Sequence, residues 1–254
     1  MPTSSARRPS SEKGRPSAFW ILAALVLPPL WFMVRYRIID REKLPVRGAF
    51  VIAPNHYTEI DPVIVAAAVW KLGRAPRFLA KASLFSVPVV GWLLTKSGQI
   101  PVERAGRSRT GAPLLAAEKL VERGQCVIIY PEGSLTRDPD LWPMRGKTGA
   151  ARMALEHGIP VIPVAHWGSQ QVMARYSKKI SFFPRKTVTV VFGDPVDLSE
   201  FRDKPLNAGT LAAATNVIMQ DVTGLLEGVR GEKAPAERWN PAAHDQKETG
   251  RFEG

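Results

Sequence analysis

Cysteine and histidine are scarce in this sequence, with one Cys126 and four histidines among 254 residues. A single cysteine excludes an internal disulfide, and its position in the apolar run QCVIIY predicts a small buried side chain. No His, Cys or carboxylate cluster has the spacing of a metal site, so we expect no metal ion. The cysteine count also favours a protein on the cytosolic side of the membrane.

Acidic residues are also few, since 23 Asp and Glu face 35 Lys and Arg and the formal net charge is +12. Such a charge calls for an anionic partner, which can be nucleic acid, a phosphate-bearing small molecule or anionic lipid. The sequence has no helix-turn-helix, zinc-finger or aromatic RNA-binding pattern, and its basic residues are spread over several segments. We therefore expect no nucleic acid partner.

The longest apolar run, AFWILAALVLPPLWFMV at 18–34, follows a Ser-, Pro- and Arg-rich segment, 1–17, that reads as a disordered basic arm. As a helix the run would cover about 25 Å, less than the ~30 Å hydrocarbon core of a bilayer. Pro28-Pro29 predicts a break in its middle. Because both flanks are basic, we expect a helical hairpin that enters and leaves one leaflet. A buried hydrophobic hairpin is the alternative.

From residue 49 onward, short β-rich runs alternate with longer helical patterns. This alternation predicts an α/β fold with a largely parallel central sheet flanked by helices, over a domain at 35–230. Turn and charge composition without periodicity predicts a flexible C-terminal tail over 231–254. The strand candidates are 49–53, 77–81, 98–102, 125–130, 159–164 and 187–193. The helix candidates are 62–72, 84–95, 109–123, 145–157 and 208–228.

His56 and Asp61 follow the first strand candidate, in APNHYTEIDP, where parallel α/β sheets place ligand sites. Asp61 before Pro62 also matches an ordinary helix start with Asp as the N-cap. The chemical alternative is base catalysis, in which the carboxylate accepts the imidazole Nδ1 proton and Nε2 takes a proton from a substrate hydroxyl. No activated Ser or Cys accompanies the pair, so a covalent intermediate is not required. Both interpretations stay open on these residues alone.

Polar residues follow later strand candidates as well. Arg104, in GQIPVER, is suited to bidentate contact with a phosphate. Glu132 and Gly133, in YPEGS, form either an ordinary turn or a site that aims a carboxylate and backbone N–H groups at a substrate. Lys147 is either a surface charge or an anion contact, and His166 is a weaker candidate for the same region.

Taken in order, these blocks resemble the membrane glycerolipid acyltransferases, specifically the 1-acylglycerol-3-phosphate acyltransferases. NHYTEID is similar to the family's His-x-x-x-x-Asp block, GQIPVER to its Gly-x-Ile-Pro-Val-x-Arg block, YPEGS to its Phe-Pro-Glu-Gly-Thr block, and IPVIPVA to its proline-bearing strand. The resemblance implies that His56 is the general base and Asp61 its orienter. It also implies that Arg104, Glu132 and Gly133 hold the glycerol phosphate of the acceptor.

The resemblance covers about residues 35–200 and has one departure. The family often has Thr-Arg-Ser after Pro-Glu-Gly, whereas this chain has Ser134, Leu135 and Thr136 before Arg137. Position alone therefore leaves open whether Arg137 reaches the phosphate. The remaining candidates for substrate binding are Ser134, Arg137 and Lys147.

The implied reaction moves a fatty acyl group from an acyl thioester to the free hydroxyl of lysophosphatidic acid, giving phosphatidic acid for phospholipid synthesis. Acyl-CoA is the expected co-substrate, acyl carrier protein is the alternative carrier, and no cofactor is expected. Backbone N–H groups near the YPEGS turn or the His56 loop are expected to stabilise the oxyanion. An apolar channel for the acyl chain is expected along 83–94.

The expected partners are anionic membrane lipids, lysophosphatidic acid and acyl-CoA, and the expected location is the cytoplasmic face of the cell membrane, with monotopic or peripheral attachment. Two alternatives remain. Within the enzyme class, the acceptor is glycerol 3-phosphate or another lysolipid. In another class, the chain is a noncatalytic lipid-binding adaptor.

Overall fold

A five-stranded sheet forms the centre of the molecule in the computed structural model, which describes residues 18–102 and 119–247. Its strands are β1 (Val34–Ile39), β2 (Phe50–Pro54), β5 (Cys126–Ile128), β6 (Val161–Trp167) and β7 (Lys186–Phe192). Their order across the sheet is β1-β7-β6-β2-β5, and only the pairing of β6 with β7 is antiparallel. The α/β fold with a largely parallel central sheet flanked by helices is therefore confirmed.

A second, two-stranded parallel sheet lies beside β5 and consists of β3 (Leu79–Lys81) and β4 (Ile100–Val102). An isolated bridge between Phe78 and Ile128 joins the two sheets. Every strand candidate overlaps an observed strand, but β1 was not predicted. Its sequence VRYRII alternates polar and apolar residues, which is the strand signal, but it was interpreted as the basic flank of the apolar run.

The α-helices with both ends among the described residues are α1 (Ala18–Met33), α2 (Asp61–Lys71), α3 (Val90–Lys96), α4 (Gly149–His157) and α5 (Ala208–Arg230). The predicted helices at 62–72 and 208–228 are confirmed, and the one predicted at 145–157 is confirmed from Gly149 onward. The prediction over 84–95 was too long, because Pro88 disfavours helical backbone before it and the helix begins only at Val90. Most of the helix candidate at 109–123 lies outside the described residues.

The helix α1 is continuous, so the break predicted at Pro28-Pro29 and the resulting hairpin are wrong. An interior proline costs about 3 kcal/mol or more. Burial of an apolar side chain contributes about 1.5–3 kcal/mol. Phe19, Leu30 and Met33 are all buried against the body of the protein, and their burial offsets the cost of the interior prolines. None of the helices in the described ranges has both the length and the apolar content needed to cross a bilayer.

Alternate residues of β2 face opposite layers of the fold. Phe50 and Ile52 belong to the apolar cluster shared with α1 and α2, whereas Val51 and Ala53 belong to the cluster shared with α4 and α5. This alternation follows from the two-residue period of a strand. The chain therefore leaves β2 between two helical layers, and the loop that carries His56 begins directly at the sheet edge.

Part of the predicted flexible tail, residues 231–247, is packed on the body of the protein. Trp239 accepts a backbone hydrogen bond from Arg145 at 2.9 Å, and Arg238 donates to the carbonyl of Asn216 at 3.3 Å. Composition did not reveal this docking because its contacts are tertiary. Residues 1–17 and 248–254 lie outside the described ranges, and the division of the chain into an arm, a membrane-associating segment, a domain and a tail stays a prediction.

Candidate active site

Asp61 lies in the first turn of α2, but it is not the N-cap. The preceding residue, Ile60, occupies that position, and no side chain caps the helix. Asp61 Oδ2 instead accepts the N–H groups of Tyr57 and Thr58, both at 2.7 Å. The N-cap prediction is therefore wrong, because the carboxylate turns back to satisfy buried backbone donors of the loop between β2 and α2.

The carboxylate of Asp61 also contacts the imidazole of His56 and the hydroxyl of Ser169, which lies in the connection after β6. His56 Nδ1 lies 3.1 Å from Asp61 Oδ2. On the other oxygen, Asp61 Oδ1 accepts the hydroxyl of Ser169 at 2.6 Å and that of Thr58. Ser169 follows β6, so two segments that are distant in sequence converge on one fully buried carboxylate.

The pKa of Asp61 follows from these contacts. Burial opposes ionisation, but the imidazoles of His166 and His56 and the hydroxyl of Ser169 outweigh it and lower the pKa to about 2. Asp61 is therefore an anion at neutral pH and accepts a hydrogen bond from Nδ1–H of His56. That bond leaves Nε2 of His56 as the nitrogen available to a substrate.

His166 lies behind this pair and connects the ends of β2 and β6. Its backbone N–H donates to Asn55 Oδ1 at 2.9 Å, and its carbonyl accepts Asn55 Nδ2 at 3.1 Å. His166 Nε2 donates to the Asn55 carbonyl at 2.9 Å and lies 3.8 Å from Asp61 Oδ2. Burial lowers the pKa of His166, so the ring is neutral and acts as a structural donor. Pairing of β6 with β2 is the signal that could have identified it.

Glu132, expected to hold the acceptor, is fully buried and binds backbone donors. Its Oε1 accepts the N–H of His56 at 2.8 Å and its Oε2 accepts the N–H of Met144 at 3.0 Å. The N–H of Thr136 in turn donates to the carbonyl of His56 at 2.7 Å. Glu132 and Thr136 therefore hold the backbone N–H and carbonyl of His56 in place, and the Glu132 carboxyl group faces protein.

The backbone N–H groups expected to stabilise an oxyanion are largely engaged within the protein. Those of the His56 loop donate to the two carboxylates described above. At the YPEGS turn, the N–H of Gly133 donates to the carbonyl of Tyr130 at 3.0 Å. This bonding does not support the expected oxyanion site at the N–H groups of His56, Tyr57, Thr58 or Gly133.

A cavity of about 620 Å³ opens beside His56 and extends between α1, α2 and the small β3–β4 sheet. Its walls are apolar except near His56, Gln99 and Lys147. Of the channel expected along 83–94, only Leu84 and Leu94 line this cavity. The helices α1 and α2 each contribute more of the wall than this segment does.

Gly133 and Lys147 lie together at the polar end of the cavity. Gly133 has φ +69°, and an added Cβ would lie 2.9 Å from Lys147 Cδ. Glycine at this turn therefore supplies both the left-handed backbone and the space in which the lysine side chain crosses the turn. Lys147 is the one Lys or Arg among the described residues that line the cavity.

Other members of the predicted set lie elsewhere. Arg137 is buried in a separate cleft of about 150 Å³ with Arg175, and its Nη1 donates to Tyr176 Oη at 2.8 Å. Ser134 is buried and is not among the residues that line the large cavity. Arg104 lies outside the described residues. The structure brings together five of the predicted site residues: His56, Asp61, Glu132, Gly133 and Lys147.

Comparison with known proteins identifies the family. The family model described as Acyltransferase matches residues 35–167, more than half of the chain. The chain belongs to the acyltransferase family. This membership agrees with the resemblance seen in the four sequence blocks.

Three curated relatives extend the comparison. This chain is 29% identical over 159 residues to the chloroplastic 1-acyl-sn-glycerol-3-phosphate acyltransferase of Brassica napus. The alignment covers 61% of this chain and 44% of that protein. It is 28% identical over 191 residues to the 1-acyl-sn-glycerol-3-phosphate acyltransferase of Bacillus subtilis, covering 74% of this chain and 87% of that protein. The chain also spans 57% of a Chlamydomonas reinhardtii relative.

The crystal structure of the 1-acyl-sn-glycerophosphate (LPA) acyltransferase of Thermotoga maritima has a similar fold, with a TM-score of 0.61 and 23% identity. The structural alignment covers 86% of this chain and 83% of the Thermotoga maritima chain. The likeness extends beyond residues 35–167 of the family match. The arrangement of the sheet and helices is therefore shared across most of both chains.

Burial has the largest effect on the pKa of Glu132. It raises the pKa to about 8, although the N–H groups of Met144 and His56 and the hydroxyl of Thr136 act in the opposite direction. Between about pH 4.5 and about pH 8 the folded chain therefore keeps a proton that the unfolded chain has lost. Because the folded state then binds more protons, this group lowers the free energy of unfolding as pH rises, by at most about 1.4 kcal/mol per pH unit.

Glu132→Gln tests this assignment because the amide cannot titrate. We expect the free energy of unfolding of the wild type to fall, relative to that of the variant, as pH rises from about 5 to about 8. The variant is less stable at low pH, since its NH₂ group faces one of two backbone donors. Denaturant titrations at several pH values measure both effects, with the exposed Glu122→Gln as the control. Parallel pH profiles for wild type and Glu132→Gln would contradict the assignment.

Proposed function

We propose that the chain transfers a fatty acyl group from an acyl thioester to the free hydroxyl of a lysophosphatidic acid, giving phosphatidic acid for phospholipid synthesis. The observation that carries the proposal is a histidine with Nδ1 bound to the buried Asp61 carboxylate, positioned at the polar end of a large apolar cavity. The volume of about 620 Å³ is in the ~300–1,000 Å³ range of ligand pockets. The names of the Brassica and Bacillus relatives support the acceptor.

In the proposed reaction, the acceptor hydroxyl attacks the thioester carbonyl carbon while His56 Nε2 takes the hydroxyl proton. The new C–O bond gives a tetrahedral intermediate, and its collapse breaks the C–S bond. The imidazolium then protonates the departing thiolate. Asp61 stabilises the imidazolium through Nδ1. Because the acceptor hydroxyl is itself the nucleophile, no covalent enzyme intermediate is needed.

The imidazole is held in place on several sides, which favours this role. The ring of Tyr130 packs on the ring of His56 with centroids 4.2 Å apart. Glu132 and Thr136 bind the backbone N–H and carbonyl of His56, and Asp61 binds its side chain. A general base held in one orientation loses little further freedom when the substrate binds, which lowers the entropic part of the barrier.

We assign the acceptor phosphate to Lys147, which is the cation that the described cavity lining offers beside His56. Arg104 stays a second candidate for the phosphate because of the motif that carries it. Gly133 shapes the turn beneath Lys147, whereas Glu132 acts through the backbone of His56. Acyl-CoA is the proposed donor, and an acyl carrier protein with the same thioester is the alternative.

The helix α1 supports a membrane-bound substrate because its two faces differ. Ala23 and Val26 line the cavity, while Trp20, Leu25 and Trp31 are exposed on the outside. We propose that the exposed face lies within one leaflet on the cytoplasmic side of the cell membrane, with anionic lipid around it. An acyl chain would then pass from the bilayer into the cavity along α1.

The His56→Ala variant tests the proposed reaction. We expect its rate of thiol release with lysophosphatidic acid and an acyl-CoA to fall by at least about 100-fold, because the general base is removed. His157→Ala, at the C-terminal end of α4, is the control and keeps nearly the wild-type rate. Offering glycerol 3-phosphate in parallel separates the alternative acceptor. Robust transfer by folded His56→Ala protein would rule out the assignment, and absence of transfer by the wild type would favour a noncatalytic adaptor.

Substitution on α1 tests whether the cavity holds the acyl chain. Ala23 lines the cavity and its neighbour Ala24 is exposed, so Ala23→Phe and Ala24→Phe differ in their effect on cavity volume. We expect Ala23→Phe to shift preference toward shorter acyl thioesters, and Ala24→Phe to leave the preference unchanged. Competition between short and long acyl-CoA donors, with products identified by mass, measures it. Unchanged preference in Ala23→Phe would contradict an acyl chain in this cavity.

A further inference from the structure

The connection between β6 and β7 presents apolar side chains to solvent at 178–186, KKISFFPRK, which we term the Phe-Phe loop. Phe182 and Phe183 are 54% and 74% exposed, and Ile180 is 40% exposed. Single exposed apolar residues are common, but a contiguous group marks an interaction surface. The proposed reaction gives this loop no role.

The Phe-Phe loop is ordered by its own hydrogen bonds. The N–H of Ser181 donates to the carbonyl of Val172 at 2.8 Å, and Lys186 Nζ donates to Ser181 Oγ at 2.6 Å. Arg185 Nε donates to the carbonyl of Val34 at 3.1 Å. The loop is therefore a shaped surface in which the phenylalanines are presented outward.

The Phe-Phe loop lies next to the end of α1. Strand β7 begins at Lys186, which pairs with Val34, and Val34 directly follows the last residue of α1. In that last turn of α1, Trp31 and Phe32 are exposed. The phenylalanines of the Phe-Phe loop and the exposed aromatic residues at the end of α1, although far apart in sequence, therefore lie near each other at one edge of the sheet.

That edge is the one that carries the active site. Strand β7 is antiparallel to β6, and β6 is parallel to β2, so the start of β7 lies at the same edge as the end of β2. His56 follows the end of β2 by two residues. The Phe-Phe loop, the end of α1 and the catalytic histidine thus share one edge.

Basic residues flank the apolar tip and identify its partner. Lys178, Lys179 and Arg185 are exposed within the loop, and Arg35 is exposed after α1. An apolar tip with a basic rim fits a surface that has an anionic layer over an apolar interior, which is an anionic bilayer. A soluble anion would not account for the phenylalanines.

We propose that the Phe-Phe loop is a second membrane-contacting element, which inserts Phe182 and Phe183 beneath anionic headgroups that its basic residues bind. A single helix lying in a leaflet leaves rotation about its axis undetermined, whereas a helix and a loop define a plane. The two elements together turn the sheet edge that carries His56 toward the bilayer. This inference builds on the proposed lipid acceptor, since it explains how the site reaches it.

The test uses the full-length protein and its co-sedimentation with vesicles of phosphatidylcholine, with or without phosphatidylglycerol. We expect the double variant Phe182→Ser/Phe183→Ser to bind anionic vesicles severalfold less than the wild type, and Lys178→Glu/Lys179→Glu to lose the preference for phosphatidylglycerol. The controls are Val46→Ser, 69% exposed before the start of β2, and the exposed Lys204→Glu beyond the end of β7. Both control sites lie away from the active-site edge, and we expect both to bind as the wild type does.

Acyl transfer to detergent-dispersed acceptor separates this inference from the proposed function. We expect the phenylalanine double variant to keep the wild-type rate there and to lose rate only with acceptor presented in vesicles. Wild-type vesicle binding by the double variant would overturn the inference, as would an equal loss of rate in detergent. Dissociation of a dimer by the same variant, with vesicle binding unchanged, would assign the loop to a second copy of the chain instead. If the wild type transfers no acyl group, vesicle binding still tests the loop.

Discussion

The buried carboxylate of Asp61 is the interaction on which the site depends. A buried anion without partners would cost several kcal/mol, and here it is satisfied by backbone N–H groups of the His56 loop, a hydroxyl from Ser169 and the imidazole of His56. These donors come from the loop between β2 and α2 and from the connection between β6 and β7. The bonds that fold this edge are therefore the same bonds that orient the ring of His56, the proposed general base.

Two carboxylates beside one histidine have opposite environments and different tasks. Asp61 receives hydroxyl, backbone and imidazole donors, and its pKa falls to about 2. Glu132 has fewer donors for the same burial, and its pKa rises to about 8. The first controls the ring of His56 and the second controls its backbone. The helix α1 adds the cavity wall, so a segment that resembles a simple anchor also shapes the binding site.

Local patterns predicted most of the fold, and the order of the motifs led to the proposed catalytic pair, His56 and Asp61. The apolar periodicities of α2 and α5 and of most strands are properties of short windows, and they were correct. The contact of Asp61 with His56 was predicted, whereas the continuity of α1 through Pro28-Pro29, the bond of Asp61 to Ser169 and the partners of Glu132 were not, because contacts between distant segments decide them. Ser169 lies 108 residues from Asp61 in sequence, and no local pattern links them. His166 was undervalued for the same reason.

The most direct measurement is the turnover of Asp61→Asn with saturating acyl-CoA and lysophosphatidic acid. If the negative charge of Asp61 orients His56 and stabilises its imidazolium, kcat falls by about 10² to 10⁴ while KM for the acceptor changes little. Circular dichroism establishes that the variant is folded. A folded Asp61→Asn protein with wild-type kcat would contradict the account.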